Sequence, residues 1–535
     1  MQGVPAVTRF PQVGGVMLQS GIMDTQIDQL GSTPTSGPTT PRTDRRVLLN
    51  TGALAGSSLW RIGISFLLQL YIASRLGAEG LGQYATALAF LNVAQVVSEL
   101  GLPQLLVRDL ARHPERRAHS FRAALAVQLM AGFLVWLGVI GLVYLVPYQP
   151  TTRLVLILMT GSLPFFAFTS VSATLFQAGE RMEYVMGVEM VVNTLVLAAG
   201  LGVLWRGGGV VHLAVVQIGA QAVNALLFGF LLRRSGLLDG SLGNGDGVDG
   251  ADLHGLNLTF LRDLWRQARP FYGLALTTVL LNRADILLLS ALVGETITGI
   301  YSAAYLIVRV LIVLSQTYWR AIYPTLSRLR HQALEQYQRL AELALRYGLI
   351  ALLPAAALST DAAGFILGLI YRGEAYTGAL TAYQVLIWAA PLFLTATYTV
   401  HLLMVEHYPQ GSLMVAIFHL LLVVLFLPAL ALRWQAVGAA GAVVASIGAS
   451  VLLGFFLIRR VQVPVKRPTG LGVLLFATLL AAVGQRALNL LLPSPNLWPF
   501  STLAGLIIYG VGLWQGRVAS PADLALFRRA LRRSR

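Results

Sequence analysis

Apolar residues run through this chain in long blocks, about fourteen of them, separated by short polar breaks. About 20 mostly apolar residues span the hydrocarbon core of a bilayer, so each block is a candidate membrane helix. Lipid offers no partner to an unpaired backbone N–H or C=O, and blocks of this kind therefore cross as helices. The pattern predicts spans near 49–74, 83–106, 120–146, 153–177, 185–205, 210–232, 268–293, 299–323, 341–362, 379–405, 411–432, 437–458, 470–492 and 498–515. The break at 363–378 reads either as a loop or as an extension of a neighbouring helix. The expected fold class is an all-α integral membrane protein.

The polar breaks carry the orientation. Every second break holds arginine, in all but one case as a cluster: Arg108, Arg112, Arg116 and Arg117; Arg181 alone; Arg233, Arg234 and Arg262; Arg328, Arg330 and Arg339; then Arg459, Arg460, Lys466 and Arg467. The breaks between them hold isolated arginines at most, namely Arg75, Arg153, Arg206, Arg372 and Arg433. Positive residues favour the cytoplasmic side, which places both termini inside and makes the span count even. Trp205 and Trp434 then fall at outer helix ends, where an interfacial aromatic belt forms. The expected location is a bacterial cytoplasmic membrane, crossed many times.

Composition sharpens this reading. Hydrophobic residues make up 56% of the chain and charged residues 12%, against roughly 25% charged in a soluble domain. The formal net charge of +16 sits in the breaks rather than in one stripe, which points to anionic lipid headgroups and away from nucleic acid. Cysteine is absent, which excludes disulfides, thiolate metal sites and cysteine nucleophiles. Residues 1–46 have no apolar core before a small-residue cleavage site and read as a disordered cytoplasmic tail rather than a secretory signal. Residues 233–264 read as a cytoplasmic linker; its Asp246, Asp249 and Asp252 match no calcium loop. Residues 516–535 read as a basic cytoplasmic tail in which Ser520 caps a short helix with Leu524, Phe527 and Leu531 on one face.

The chain also repeats itself. LGAEGLGQYATAL at 76–88 and VGETITGIYSAAY at 293–305 share Gly77, Gly82, Tyr84, Ala85 and Ala87 against Gly294, Gly299, Tyr301, Ser302 and Ala304. A weaker match pairs the stretch opening at Trp205 with that opening at Trp434. Six spans separate the copies. Six is even, so both halves enter the membrane in the same sense and are related by an axis along the membrane normal, with a cavity between two bundles. The expected organisation is an N-terminal bundle at 47–232, a C-terminal bundle at 265–460 and an appended pair of helices within 461–515.

Some charges fall inside the spans. Arg61 lies in the first, Arg283 and Asp285 in the seventh, and Arg309 and Arg320 in the eighth. An arginine at mid-helix costs about 2.5–3.5 kcal/mol to insert, so its presence asks for a use. Two readings stand for each: contact with an anionic substrate in a shared cavity, or pairing with a neighbouring helix. A guanidinium suits diphosphate, because its fork donates two parallel hydrogen bonds and keeps its charge. Asp285 is a candidate for coupling to H+ or Na+. Glu99 and Arg108, flanking the inner end of the second span, are candidates for a gate or a stabilising ion pair. Glu189, His401 and Glu406 read as packing or interfacial groups. No catalytic constellation, metal-ligand cluster, Walker loop or cofactor motif is present, so the expectation is a non-enzyme without a cofactor.

LGAEGLGQYATALAFL with ELGLPQLLVRDLAR, ARPFYGLALTTVLLNRADILLLSALVGETITGIYSAAY and WQAVGAAGAVVASIGAS resemble the Wzx-type polysaccharide flippases of the multidrug/oligosaccharidyl-lipid/polysaccharide (MOP) exporter superfamily. The resemblance covers roughly 47–515. It implies two pseudo-symmetric, MATE-like six-helix bundles plus two C-terminal helices. It implies alternating-access flipping of a polyprenyl-diphosphate-linked oligosaccharide for O-antigen, capsule or exopolysaccharide synthesis. In that role Arg61, Arg283 and Arg309 grip the headgroup in a cationic lumen, an ion gradient drives the cycle, and a monomer works beside a polymerase and glycosyltransferases. Lipid II flipping and cation-coupled drug export on the same fold are alternatives, and an integral-membrane glycosyltransferase or polymerase is one of another class. The shortness of the outer breaks argues against the last.

Overall fold

The computed structural model describes residues 41–112, 117–237, 258–371, 377–466, 469–491, 498–516 and 518. Of the tail expected over 1–46, residues 1–40 lie outside them and residues 41–46 begin a helix; the aspartate-rich stretch of the linker and the tail helix after Ser520 also lie outside. The chain divides into two compact units, Met1–Thr51 and Gly52–Arg535, and the second is described below.

All regular structure among the described residues is helical. In chain order the helices are α1 Pro41–Glu99, α2 Leu102–Arg112, α3 Arg117–Leu145, α4 Pro150–Thr160, α5 Leu163–Ala178, α6 Met182–Trp205, α7 Val210–Ser235, α8 Leu258–Leu292, α9 Glu295–Gln332, α10 Leu334–Asp361, α11 Ala363–Ile370, α12 Thr377–Leu386, α13 Ala389–Val405, α14 Pro409–Arg460, α15 Leu471–Leu491 and α16 Trp498–Gln515. Among the described residues ten helices are long and apolar enough to cross a membrane, or eleven with the bent pair Trp60–Glu99 and Leu102–Leu110.

Two of these helices each hold two of the expected spans. A straight helix of 52 residues such as α14 would measure about 78 Å at 1.5 Å per residue, more than twice the hydrocarbon thickness. Instead α14 breaks at Trp434 and Gln435, the latter at φ 48°. Its two arms fold back on each other: Ser412 Oγ donates to the carbonyl of Val400, while Gly454 lies against the adjacent Thr399. The other case is α1, broken at Gly77 with φ 69° and ψ −167°. A glycine takes this conformation without steric penalty. Each of the fourteen expected spans overlaps a helical stretch once these arms are counted separately, although the one expected at 83–106 bends at Leu100 and Gly101. The repeat is displaced from its expected place: only Gly77 and Gly294 lie in breaks, whereas Gly82, Tyr84, Gly299 and Tyr301 lie inside helices that start several residues earlier than the apolar pattern suggests.

Packing shows how the halves meet. At the end carrying Gly77, Tyr148 and Gly294, here called the apex, one continuous core contains Ile72, Tyr84, Leu91 and Val155 of the first half with Leu289, Tyr301, Val308 and Leu427 of the second. Towards the opposite end the cores part. One holds Leu105, Phe121, Phe176 and Phe228 of the first half. The other holds Trp319, Tyr337, Leu402 and Leu457 of the second. Helix α8 crosses between them, with Ala268 in the first-half core. Gly101, at φ 75°, permits that crossing, because a Cβ there would lie 2.6 Å from the Tyr272 nitrogen and 2.8 Å from the Ala268 oxygen.

The two repeats touch reciprocally at the apex. A Cβ on Gly82 would collide with the backbone carbonyl of Glu295, and one on Gly299 would collide with that of Ala78. Residues 78 and 82 stand to 295 and 299 as the two copies of the repeat stand to each other. The contact is therefore self-complementary, as a two-fold axis requires, and the bundles are pseudo-symmetric as expected.

The appended pair α15 and α16 is fastened to α10 along its length. Arg346 Nη1 donates to Thr469 Oγ1 at 3.1 Å, and Glu342 accepts the Thr469 N–H at 2.9 Å. Tyr509 Oη donates to the Ile350 carbonyl at 2.9 Å. Further along, Gln485 Nε2 reaches the Leu358 carbonyl and Arg486 pairs with Asp361 at 2.9 Å.

Candidate functional site: an arginine cluster between the halves

Helices α8 and α9 are joined by a tight turn at Gly294, whose φ of 100° favours glycine. The turn sets α8 and α9 side by side. Tyr301 Oη donates to Asp285 Oδ2 at 2.7 Å, and the Ile286 N–H donates to Asp285 Oδ1 at 2.8 Å. Asp285 is 6% exposed and belongs to the apex. Arg283, two residues earlier, projects elsewhere on the helix, as residues at this spacing do.

Tyr301, Tyr305 and Arg309 follow one another at four-residue spacing on α9. The two rings stack with centroids 5.9 Å apart and planes 10° from parallel. Arg309, one turn beyond them, lies within electrostatic reach of Arg283, as do Tyr305, Asp285 and Arg61. Arg61 comes from α1 of the first half; Arg283 and Arg309 come from α8 and α9 of the second. Arg283 thus has Arg61, from the first half, and Arg309, from the second, both within electrostatic reach. Arg61 is exposed, and Arg283 and Arg309 are half-buried. Among the described residues no carboxylate stands within salt-bridge distance of these three guanidinium groups.

Arg320 is not brought into the cluster. It is exposed, eleven residues beyond Arg309 on the same helix, about 16 Å along the axis. Glu99 and Arg108 do not form the expected ion pair either. Helix α1 ends at Glu99, and the left-handed Leu100 and Gly101 redirect the chain into α2. Glu99 Oε1 then accepts from Ser170 Oγ at 2.9 Å, and Arg108 pairs with its neighbour Asp109 at 3.0 Å. Glu406 is held by Arg330 in a two-pronged contact of 2.6 and 2.9 Å with Tyr337 Oη at 3.3 Å. His401 rests on Trp319 and Tyr323. Both act as structural groups.

Reading the sequence missed a group of polar contacts at the apex: Gln83, Tyr148, Gln149, Ser290 and Glu295. The available signal was Pro147-Tyr148-Gln149-Pro150, a polar turn bracketed by prolines, and an acidic residue directly after the repeated Gly294.

A cluster of guanidinium groups can take an anion, and the Asp285 carboxylate also lies within electrostatic reach of Arg283. The forked guanidinium donors fit phosphate oxygens.

The family model described as "Polysaccharide biosynthesis protein" matches residues 47–330, which takes in the first half, α8 and nearly all of α9. No curated protein matches the chain by sequence. Among solved structures, one described as "Lipid II flippase MurJ, inward closed conformation" superposes with a TM-score of 0.63 at 11% identity, over 87% of this chain and 98% of that one. An inward-facing multidrug resistance MATE family transporter of the MOP superfamily gives 0.57 at 16% identity, over 75% and 95%. A MOP superfamily transporter from Pyrococcus furiosus, described as having a binding pocket of reverse polarity, gives 0.51 at 15% identity, over 78% and 97%. At these identities the likeness is one of fold. The matched family model, with the helical halves and their reciprocal glycine contact, shows that this chain belongs to the polysaccharide biosynthesis proteins of the MOP superfamily.

Proposed function

We propose that this chain flips a polyprenyl-diphosphate-linked oligosaccharide across the cytoplasmic membrane for surface polysaccharide synthesis. The observation that carries the reading is that Arg61 of one half and Arg309 of the other both lie within electrostatic reach of Arg283. A diphosphate presents enough anionic oxygen to engage all three, and bridging both halves lets the headgroup bias their relative position. Family membership supports a transporter rather than an enzyme. The arginine-rich breaks favour a cytoplasmic position for the end opposite the apex and for both termini, and the headgroup enters there. Asp285, beside the cluster, is the group through which a proton or sodium gradient acts. Polymerase and glycosyltransferases supply and consume the lipid-linked glycan.

The test is the triple variant Arg61→Ala, Arg283→Ala, Arg309→Ala. Surface polysaccharide is lost while the protein stays in the membrane at its normal level, and vesicles carrying it no longer flip a defined lipid-diphosphate-linked glycan. Normal polymer output would defeat the assignment. Asp285→Asn is expected to abolish the response to an imposed ion gradient while leaving headgroup binding in place. A second reading, flipping of lipid II, is favoured by the superposition on a lipid II flippase. It shares the diphosphate and differs in the sugar, so competition between the two headgroups in the same vesicle assay separates them.

A further inference from the structure

The turn between α3 and α4 belongs to the first half in sequence but is anchored in the second. Pro147 and Pro150 bracket it, and each fixes its own φ. Tyr148, 3% exposed, sends its hydroxyl to Ser290 Oγ on α8 at 3.2 Å. The next residue, Gln149, donates its backbone N–H to Glu295 Oε1 on α9 at 3.1 Å. Its side-chain oxygen accepts from Gln83 Nε2 on α1 at 3.3 Å. Phe90 of α1 packs edge-on against the Tyr148 ring. One turn therefore holds both halves, and the Gly82–Gly299 crossing lies within a turn of helix of Gln83 and Glu295.

Glu295 is well placed as the anchor. It is the first residue of α9, where an anionic side chain meets the positive end of the helix. It is 6% exposed. A buried carboxylate is held in place only by donors, and the Gln149 N–H is a donor from the other half. Burial pushes the Tyr148 phenol up from its ordinary value; the Ser290 hydrogen bond opposes this, and the charge of Glu295 adds to it. The phenol therefore stays protonated and able to donate. The first repeat has Ala78 where the second has Glu295, so the pseudo-symmetric halves share one such anchor between them.

We infer that the 146–149 turn is a latch, anchored on Glu295 and Ser290, that holds the halves closed at the apex, and that its release opens the arginine cluster to the side opposite the arginine-rich breaks. The inference rests on the transport reading for its purpose and on the apex contacts for its geometry. Opening the apex separates Gly82 from Gly299, and the turn cannot keep its grip on both halves while they part. The latch contacts must therefore break in each cycle.

The absence of cysteine makes the test direct. Val279 lies one turn before Arg283 on the same face of α8, and Val279→Cys reports access to the cluster. The reporter chain is labelled with a membrane-impermeant maleimide from outside in cells and from inside in inverted vesicles. Adding Glu295→Ala is expected to raise the outside labelling rate at least about fivefold and to lower the inside rate. Glu295→Gln keeps the acceptor oxygen and is expected to stay close to the parent. Should Glu295→Ala fail to reach the membrane, Tyr148→Phe with Ser290→Ala loosens the same latch and is expected to shift labelling the same way.

Unchanged labelling in either of these latch variants, with protein present at its normal level, overturns the latch. The assay is separate from substrate. If access shifts as expected yet the parent chain flips no lipid-diphosphate-linked glycan, the transport reading fails and the latch stands.

Discussion

At the residue scale, the energetic question is how this membrane interior keeps its charged groups. Asp285 is satisfied by two donors, Tyr301 Oη and the Ile286 N–H. Removing one partner of a buried hydrogen bond leaves the other to bear its desolvation, a cost of about 1–3 kcal/mol and more for a charged group. Tyr301→Phe is therefore expected to lower the thermal midpoint of the purified protein, whereas Tyr305→Phe, whose ring stacks on Tyr301, should leave it nearly unchanged. A midpoint in Tyr301→Phe equal to the parent would mean that Asp285 does not depend on this bond. Arg61, Arg283 and Arg309 are kept differently. Like charges brought together in a poorly solvated place repel, so alanine at one of the three relieves its neighbours. Single variants Arg283→Ala and Arg309→Ala are expected to be at least as stable as the parent while binding the lipid-diphosphate headgroup more weakly. The measurements are a melting curve and a binding isotherm on the same preparation.

At the scale of elements, the apolar rhythm located the helices, and the breaks expected at 75–82 and 433–436 contain the residues that turn the chain. Continuous runs mark where backbone must be helical in lipid, and this reading holds from α3 through α16. Within those breaks the reversals rest on single residues, Gly77 in α1 and Gln435 in α14. Arginine positions were legible because an arginine in a membrane span is conspicuous. Arg320 was misjudged because span membership says nothing about depth along the axis, and Glu99 with Arg108 because the Leu100–Gly101 bend was invisible. The glycine crossing yields a sharp expectation. Gly82→Ala and Gly299→Ala each place a methyl group against rigid backbone of the other repeat. Overpacking of this kind costs about 1–3 kcal/mol. Both substitutions force the same two helices apart, so the double variant should lose less stability than the two singles added together. Strict additivity in thermal unfolding would show that the two contacts are independent and that the reciprocal interface is not a unit.

For the molecule as a whole, the cores define what moves together. The second-half core runs without interruption from Trp319 of α9 into Ala477 of α15 and Tyr509 of α16, and hydrogen bonds fasten this pair to α10 from Glu342 to Asp361. The helices outside the repeat are therefore cargo of the second half. The apex core, by contrast, joins residues of both halves, and under the proposed transport cycle it is the place that separates to expose the arginine cluster on its other side. A pair of cross-links distinguishes these two kinds of interface. Asp361→Cys with Arg486→Cys, bridged by a short bifunctional thiol reagent, ties together parts that already move as one, and flipping in vesicles should keep most of its rate. Tyr148→Cys with Ser290→Cys, bridged by the same reagent, ties the first half to the second across the apex, and flipping should stop until a reductant cleaves the bridge. If bridging α10 to α15 also stopped transport, the appended helices would have to slide against α10 during the cycle, and the division of the molecule into two moving bodies would be wrong.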